Sequence, residues 1–161
     1  MRLIEIGRIF TPFQHATGTP VQPSRAVGVE GHIELHRPYV EGLKDLAGFD
    51  RIWLIFWCDR STEAKMSVTP YLDNAEHGLF ATRTPARPNP LGLSCVRLLE
   101  INDNILRIAD LDILNDTPLL DIKPYVPRYD NYPVQRCGWV DLVPDRAVVA
   151  DDRFEKHDGA Q

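Results

Sequence analysis

Residues 93–111 read Leu-Ser-Cys-Val-Arg-Leu-Leu-Glu-Ile-Asn-Asp-Asn-Ile-Leu-Arg-Ile-Ala-Asp-Leu. Two apolar runs, Leu93 to Ile101 and Ile105 to Leu111, flank Asn102-Asp103-Asn104. Asparagine and aspartate bond their own backbone and tolerate left-handed angles, so the triplet is turn chemistry and the two runs are predicted to pair as a β-hairpin. Upstream, Val29, Gly31, Ile33 and Leu35 alternate with Glu30, His32 and Glu34. That period of two marks a strand with one buried face. Leu3 to Phe10 reads as another strand, followed by a long Thr/Pro/Gln/Ser-rich loop, Thr11 to Arg25. A loop of that length is uncommon unless it has a function or is disordered. Ile52 to Trp57 is an unbroken apolar run. It fits a strand buried on both faces or at the centre of a barrel, with Trp53, Phe56 and Trp57 in the core. Further strands are expected at Met66 to Val68, Leu79 to Thr82 and Leu119 to Tyr125, and a short helix at Pro38 to Leu46, ending at Gly48. Short strands with a turn signal every eight to twelve residues or so indicate a mainly all-β chain, a barrel or sandwich with one or two short helices.

The chain has 161 residues, a size that suits one domain with a proper core. No apolar run approaches the roughly 18 residues of a membrane span. Glu5 interrupts the amino-terminal segment where a signal peptide would be apolar, so the expected location is the cytoplasm. Cys58, Cys95 and Cys137 are odd in number and far apart, which argues against a disulfide framework and a thiolate metal site. His32 and His36 have helical ligand spacing but lie in a segment that alternates like a strand, so no metal is expected. The net charge of −5 disfavours nucleic acid as a partner. The charge is uneven, however, and an acidic protein can still present a basic face. Asp145, Asp151, Asp152, Glu155 and Asp158 crowd the end of the chain. The expected organisation is a barrel domain over 1–145 and an acidic, flexible tail over 146–161.

The run Gly78 to Ser94 reads Gly-Leu-Phe-Ala-Thr-Arg-Thr-Pro-Ala-Arg-Pro-Asn-Pro-Leu-Gly-Leu-Ser. Its three prolines, Pro85, Pro88 and Pro90, exclude a helix and a central strand. A stiff loop remains, holding Arg83, Arg87 and Asn89 in set directions. Two guanidinium forks on a rigid loop suit an anionic or carboxylate-bearing ligand. The plainer reading is a fixed corner whose arginines pair with nearby acids. No G-x-G-x-x-G, G-x-x-x-x-G-K-[ST] or G-x-S-x-G is present, so dinucleotide-fold, P-loop and hydrolase readings have no support.

The segment Phe80 to Ser94 resembles the signature of the TsaA-like family, which includes the N6-methyltransferases of threonylcarbamoyladenosine 37 in transfer RNA. Ile6 to Phe13 looks like the family's opening strand, Gly42 to Phe56 like its central helix-to-strand passage, and Asp116 to Pro127 like its last barrel segment. The resemblance covers about residues 3 to 130. It implies a non-Rossmann β-barrel enzyme that uses S-adenosyl-L-methionine and works as a homodimer with the cofactor near the interface. The implied reaction is methyl transfer to N6 of that modified adenosine in the anticodon loop.

Carried over residue by residue, the resemblance places Gln22, Pro23 and Ser24 on a cofactor loop, and Arg83 and Leu93 at cofactor contacts. It places Asp112, Leu114, Asn115 and Thr117 along the same pocket. Two departures touch that pocket. Asp59 and Arg60 follow the apolar strand where a histidine is often found, and Asp116 stands where a glycine usually sits. A left-handed turn can still form at aspartate. Longer bacterial members carry a carboxy-terminal extension thought to help hold RNA, whereas the sequence here stops at Gln161.

N6 of the modified adenosine is a weak nucleophile and must lose its proton during attack, so a base or polarising group is expected. Asp121, Lys123 and Tyr125 alternate along one strand and would share a face. They are the catalytic candidates, as orienter or base, charge stabiliser and stacking surface. A structural Asp121–Lys123 pair with Tyr125 in the core is the competing reading. Arg87 and Asn89 are candidates for contacting the anticodon loop or the threonyl carboxylate. Other outcomes left open are a regulatory barrel dimer that binds a small ligand without catalysis, and a methyltransferase with a different acceptor.

Overall fold

The computed structural model describes residues 2–145 and 148–156. Among the described residues, eight strands run in chain order: β1 (Gly7–Phe10), β2 (Glu30–Leu35), β3 (Arg51–Trp57), β4 (Ser67–Val68), β5 (His77–Gly78), β6 (Leu91–Asn102), β7 (Ile105–Ala109) and β8 (Thr117–Pro124). Six of them close an antiparallel barrel in the order β1-β2-β7-β6-β3-β8, while β4 and β5 form a separate ribbon. The β6–β7 hairpin turns at Asp103, whose φ of 55° uses the left-handed freedom the asparagine-rich triplet offered. Among the described residues, no helix is long and apolar enough to cross a membrane.

The barrel fills with one side chain from every second position of each strand. Ile9, Ile33, Leu35, Ile52, Leu54, Phe56, Val96, Leu106, Ile108 and Leu119 are all buried there. The alternation corrects the reading of β3. Ile52, Leu54 and Phe56 point inward, but Trp53, Ile55 and Trp57 are only half-buried on the outer wall. Closure puts the strand's second face outside, so Trp53 and Trp57 are not core residues. Trp53 instead meets Tyr125 edge-on, ring centroids 5.8 Å apart.

Two other expectations change. Arg37–Leu43 and Leu46–Gly48 are 3-10 turns separated by Asp45 in the left-handed region, rather than one short helix. Pro38 opens the first of them, and Leu43 and Leu46 drop into the core cluster. Leu79–Ala81 is a 3-10 turn and not a strand, because the Thr82 hydroxyl and backbone N–H both donate to the Leu79 carbonyl and close the chain on itself.

Antiparallel closure sends three connections to one end of the barrel: 11–29, 58–90 and 110–116. We refer to this end as the mouth. A second apolar cluster lies beneath the middle connection, made of Val68, Leu79, Ala86 and Phe154 with Tyr71 against it. Phe154 belongs to the acidic tail. Residues 148–156 of that tail run back over the mouth: Val149 pairs with Pro20, Glu155 with Ser61, and the Lys156 N–H donates to the Arg60 carbonyl at 2.8 Å. The remaining tail positions, 146–147 and 157–161, lie outside the described residues.

Candidate functional site

The middle connection is stiff for reasons visible atom by atom. Leu79 and Ala86 anchor it in the second cluster, and Thr82 and Thr84 are buried with their hydroxyls 3.2 Å apart. Among the described residues, Arg87 pairs with no acid. Its Nη1 donates to the carbonyls of Leu79, Thr82 and Thr84 at 3.4, 3.0 and 3.5 Å, stapling the loop from within. Pro90 accepts from the Cys58 N–H at 2.7 Å, which ties the loop's end to the end of β3.

On this frame Arg83 is exposed, and its Nη1 donates to Gln22 Oε1 at 2.8 Å, across sixty-one residues of sequence. Gln22 caps the 3-10 turn Pro23–Arg25, whose Arg25 pairs with Asp145. Facing them, Asp112 Oδ1 accepts from Ser94 Oγ at 2.7 Å. Burial pushes the Asp112 carboxyl up to about 6, opposed by the Ser94 hydrogen bond and by the charge of Arg83. Cys58, at the floor of the mouth, has its thiol pushed up to about 12 by burial and by the neighbouring carboxylates Asp59 and Asp112. A thiol so raised stays protonated and is no nucleophile at neutral pH.

The segment after Asp112 is fixed by its own contacts. Asn115 Oδ1 accepts from the Thr11 N–H at 3.1 Å, and Thr117 Oγ1 donates to the Leu114 carbonyl at 2.8 Å. Asp116 has φ 60°, so the turn that favours glycine forms here with aspartate, its carboxylate held by Arg8 at 3.1 Å. Arg60 turns to this backbone as well, donating from Nη2 to the Asn115 carbonyl at 2.6 Å, with Asp59 3.8 Å away. Arg60 therefore reaches the pocket as a strut on its wall.

Thus Gln22, Pro23, Ser24, Asp59, Arg60, Arg83, Asp112, Leu114, Asn115 and Thr117 all come to the mouth, as do Arg87 and Asn89. Leu93, Asp121, Lys123 and Tyr125 do not line it. Leu93 is 58% exposed on the outer wall, where Ile55 lies between it and Asp121 in the strand register. Asp121 and Lys123 form a 2.7 Å ion pair on that same wall, and Tyr125 lies farther down against Trp53. The three do share one face, and that face points away from the barrel interior.

Ser94, within the motif but not among the residues expected at the pocket, joins the candidate site through its bond to Asp112. The signal was available: a hydroxyl in phase with the inward-facing Val96. Among the described residues, no group of three or more histidine, cysteine, aspartate or glutamate side chains is placed to hold a metal ion.

Comparison with known proteins adds the family. Residues 8–131 match the tRNA-methyltransferase O N-terminal domain. The chain is 49% identical over 136 residues to a probable S-adenosyl-L-methionine-binding protein of Pyrococcus abyssi, covering 84% of this chain and 74% of that one. It is 33% identical over 150 residues to the tRNA (adenine(37)-N6)-methyltransferase of Escherichia coli K12, covering 87% and 64%. A crystal structure of TrmO from Pseudomonas aeruginosa superposes with a TM-score of 0.74 at 34% identity, covering 88% of this chain and 62% of that one. The chain thus spans a little under two thirds of the length of these last two proteins.

Proposed function

The chain belongs to the tRNA-methyltransferase O N-terminal domain family, and from that premise we propose that it is an S-adenosyl-L-methionine-dependent methyltransferase acting on N6 of threonylcarbamoyladenosine 37 in the anticodon loop of transfer RNA. The observation that carries the cofactor assignment is the meeting of Gln22, Arg83 and Asp112 at the mouth. S-adenosyl-L-methionine bears a carboxylate, an ammonium and a sulfonium, and the mouth offers a guanidinium, a side-chain amide and a half-buried carboxylate. The charges correspond. Arg83, already oriented by Gln22, would bind the methionyl carboxylate, and Asp112 would face a cationic centre. When bound, the cofactor supplies the methyl group.

The protein's contribution is alignment and proton handling. Displacement at a sulfonium needs the incoming nitrogen in line, so a rigid mouth built on stapled loops lowers the barrier by holding the partners in contact. The outer wall bearing Leu93, Asp121 and Lys123 would enter the site from a second copy of the chain. Trp53, Ile55, Trp57, Leu91 and Leu93 form an apolar stripe there, of a kind that an interface covers. In that arrangement Asp121 would take or orient the N6 proton, with Lys123 countering the developing charge. Asn89, exposed near the loop's end, would contact the RNA, as would the free edge of Arg87.

The test is nucleoside mass spectrometry of transfer RNA already carrying the threonylcarbamoyl group, incubated with the protein and S-adenosyl-L-methionine. A methyl-sized gain on that nucleoside, lost with Arg83→Ala, is the expected result. No gain while calorimetry still detects cofactor binding would overturn the reaction and leave a binding protein or another acceptor.

A further inference from the structure

Phe80 is an aromatic ring left exposed at the mouth. It is 77% exposed, although Leu79 beside it is buried in the second cluster and Ala81 beyond it holds Trp139, whose indole N–H donates to the Ala81 carbonyl at 2.8 Å. The turn is thus clamped on both sides, and an apolar ring is held outward on a rigid pedestal. The guanidinium of Arg87 lies over one face of the ring, 5.7 Å from its centroid. Because Arg87 is itself fixed by three carbonyls of the same loop, the ring is backed on one side and open on the other.

The surrounding charge names the occupant. Among the described residues, neither Arg83 nor Arg87 forms an ion pair with a carboxylate: Arg83 donates to the Gln22 amide oxygen and Arg87 to backbone carbonyls. A flat apolar face beside unneutralised guanidinium groups is complementary to an unpaired nucleobase on a phosphate backbone. It suits a purely apolar partner poorly, since that partner would bury the arginines without an anion.

We infer that Phe80, backed by Arg87, is the platform on which one unpaired base of the RNA stacks beside the reacting adenosine. The inference rests on the methyltransferase reading for its substrate. Rigid presentation matters here: a ring already fixed loses little entropy when the base arrives. The stack would also fix the RNA's register relative to Arg83 and the cofactor, which makes Phe80 a determinant of which nucleotide enters the mouth.

The test compares the full chain with Phe80→Ala and Phe80→Tyr, using an anticodon stem-loop bearing threonylcarbamoyladenosine 37 as the probe. Expected are a ten- to hundred-fold weaker RNA affinity for Phe80→Ala, the scale of one lost base–aromatic stack, near-native affinity for Phe80→Tyr, and unchanged S-adenosyl-L-methionine affinity in both. One abasic substitution in the loop should reproduce the Phe80→Ala loss in the native chain and add nothing to it in the variant. RNA affinity unaltered in Phe80→Ala would overturn the inference, as would loss of a dimer in light scattering with RNA affinity intact, since the ring would then serve an interface. Methylation by the native chain is scored separately. Turnover with no Phe80 effect removes the stack and keeps the activity, while RNA binding that depends on Phe80 without turnover removes the activity and keeps the stack. A native chain that neither binds nor methylates the probe removes both.

Discussion

At the scale of single residues, Asp112 connects environment to chemistry most directly. Its carboxyl is pushed up to about 6 by burial, from an ordinary value of 3.8. The folded state therefore holds its proton more tightly than the unfolded one. The stability this contributes is present below about pH 4 and is lost as pH rises through about 6. Binding of a cation runs the other way, because only the carboxylate attracts it. We expect S-adenosyl-L-methionine affinity in calorimetry to rise about ten-fold between pH 5 and 7.5, and Asp112→Asn to be weak and flat over that range. An unchanged pH profile in Asp112→Asn would assign the titration to another group. Asp116 shows how a departure from the family pattern is absorbed. The left-handed turn usually given to glycine is kept by aspartate, and Arg8 holds the carboxylate that the substitution introduced.

At the scale of elements, the barrel wall tolerates little change near the mouth. Gly92 faces inward on β6 opposite Phe56, and a Cβ there would come within 2.0 Å of the Phe56 ring. Gly92→Ala should cost about 1–3 kcal/mol in urea unfolding, through displacement of a ring that fills the core. A stability within error of the native chain would show that Phe56 can swing clear. The loop 79–90 was legible as stiff from its prolines, and as cation-bearing from its arginines. That Arg87 staples the loop was not legible. Which of two arginines turns inward depends on where three carbonyls end up, and those positions follow from the burial of Leu79 and Ala86. The same holds for β3: its run of apolar residues marked a strand, but only closure decided that Trp53 and Trp57 face outward.

At the scale of the whole molecule, the mouth is held together by the end of the chain. Phe154 fills the second cluster, and the backbone of 149–156 bonds to the 11–29 and 58–90 connections. Phe154→Ala should cost about 3–5 kcal/mol and should also weaken S-adenosyl-L-methionine binding, because Arg83 and Gln22 sit on loops that the segment joins. A stability loss with unaltered cofactor affinity would mean that the mouth keeps its shape without this clamp. The outer wall gives the other prediction at this scale. Leu93→Glu should dissociate the proposed dimer into monomers in sedimentation, since a charge would be buried in the proposed interface. A dimer that persists would place the interface elsewhere.

The sequence by itself determined the six barrel strands, because period-two alternation and turn chemistry are local properties of the backbone and its side chains. It also determined the family, because ordered motifs survive where structure is shared. The resemblance implies a pocket that holds Gln22, Arg83 and Asp112, three residues far apart in the chain. Only the tertiary structure decided which groups meet. Closure of six strands sends three distant connections to one end, and no local pattern encodes that Gln22 will lie 2.8 Å from Arg83. It also decided that Asp121 and Lys123 lie outside the barrel, that Phe80 is left open, and that an acidic tail carries the phenylalanine beneath the site. Those outcomes depend on long-range packing, in which a residue's partner is set by the fold and not by its neighbours in the chain.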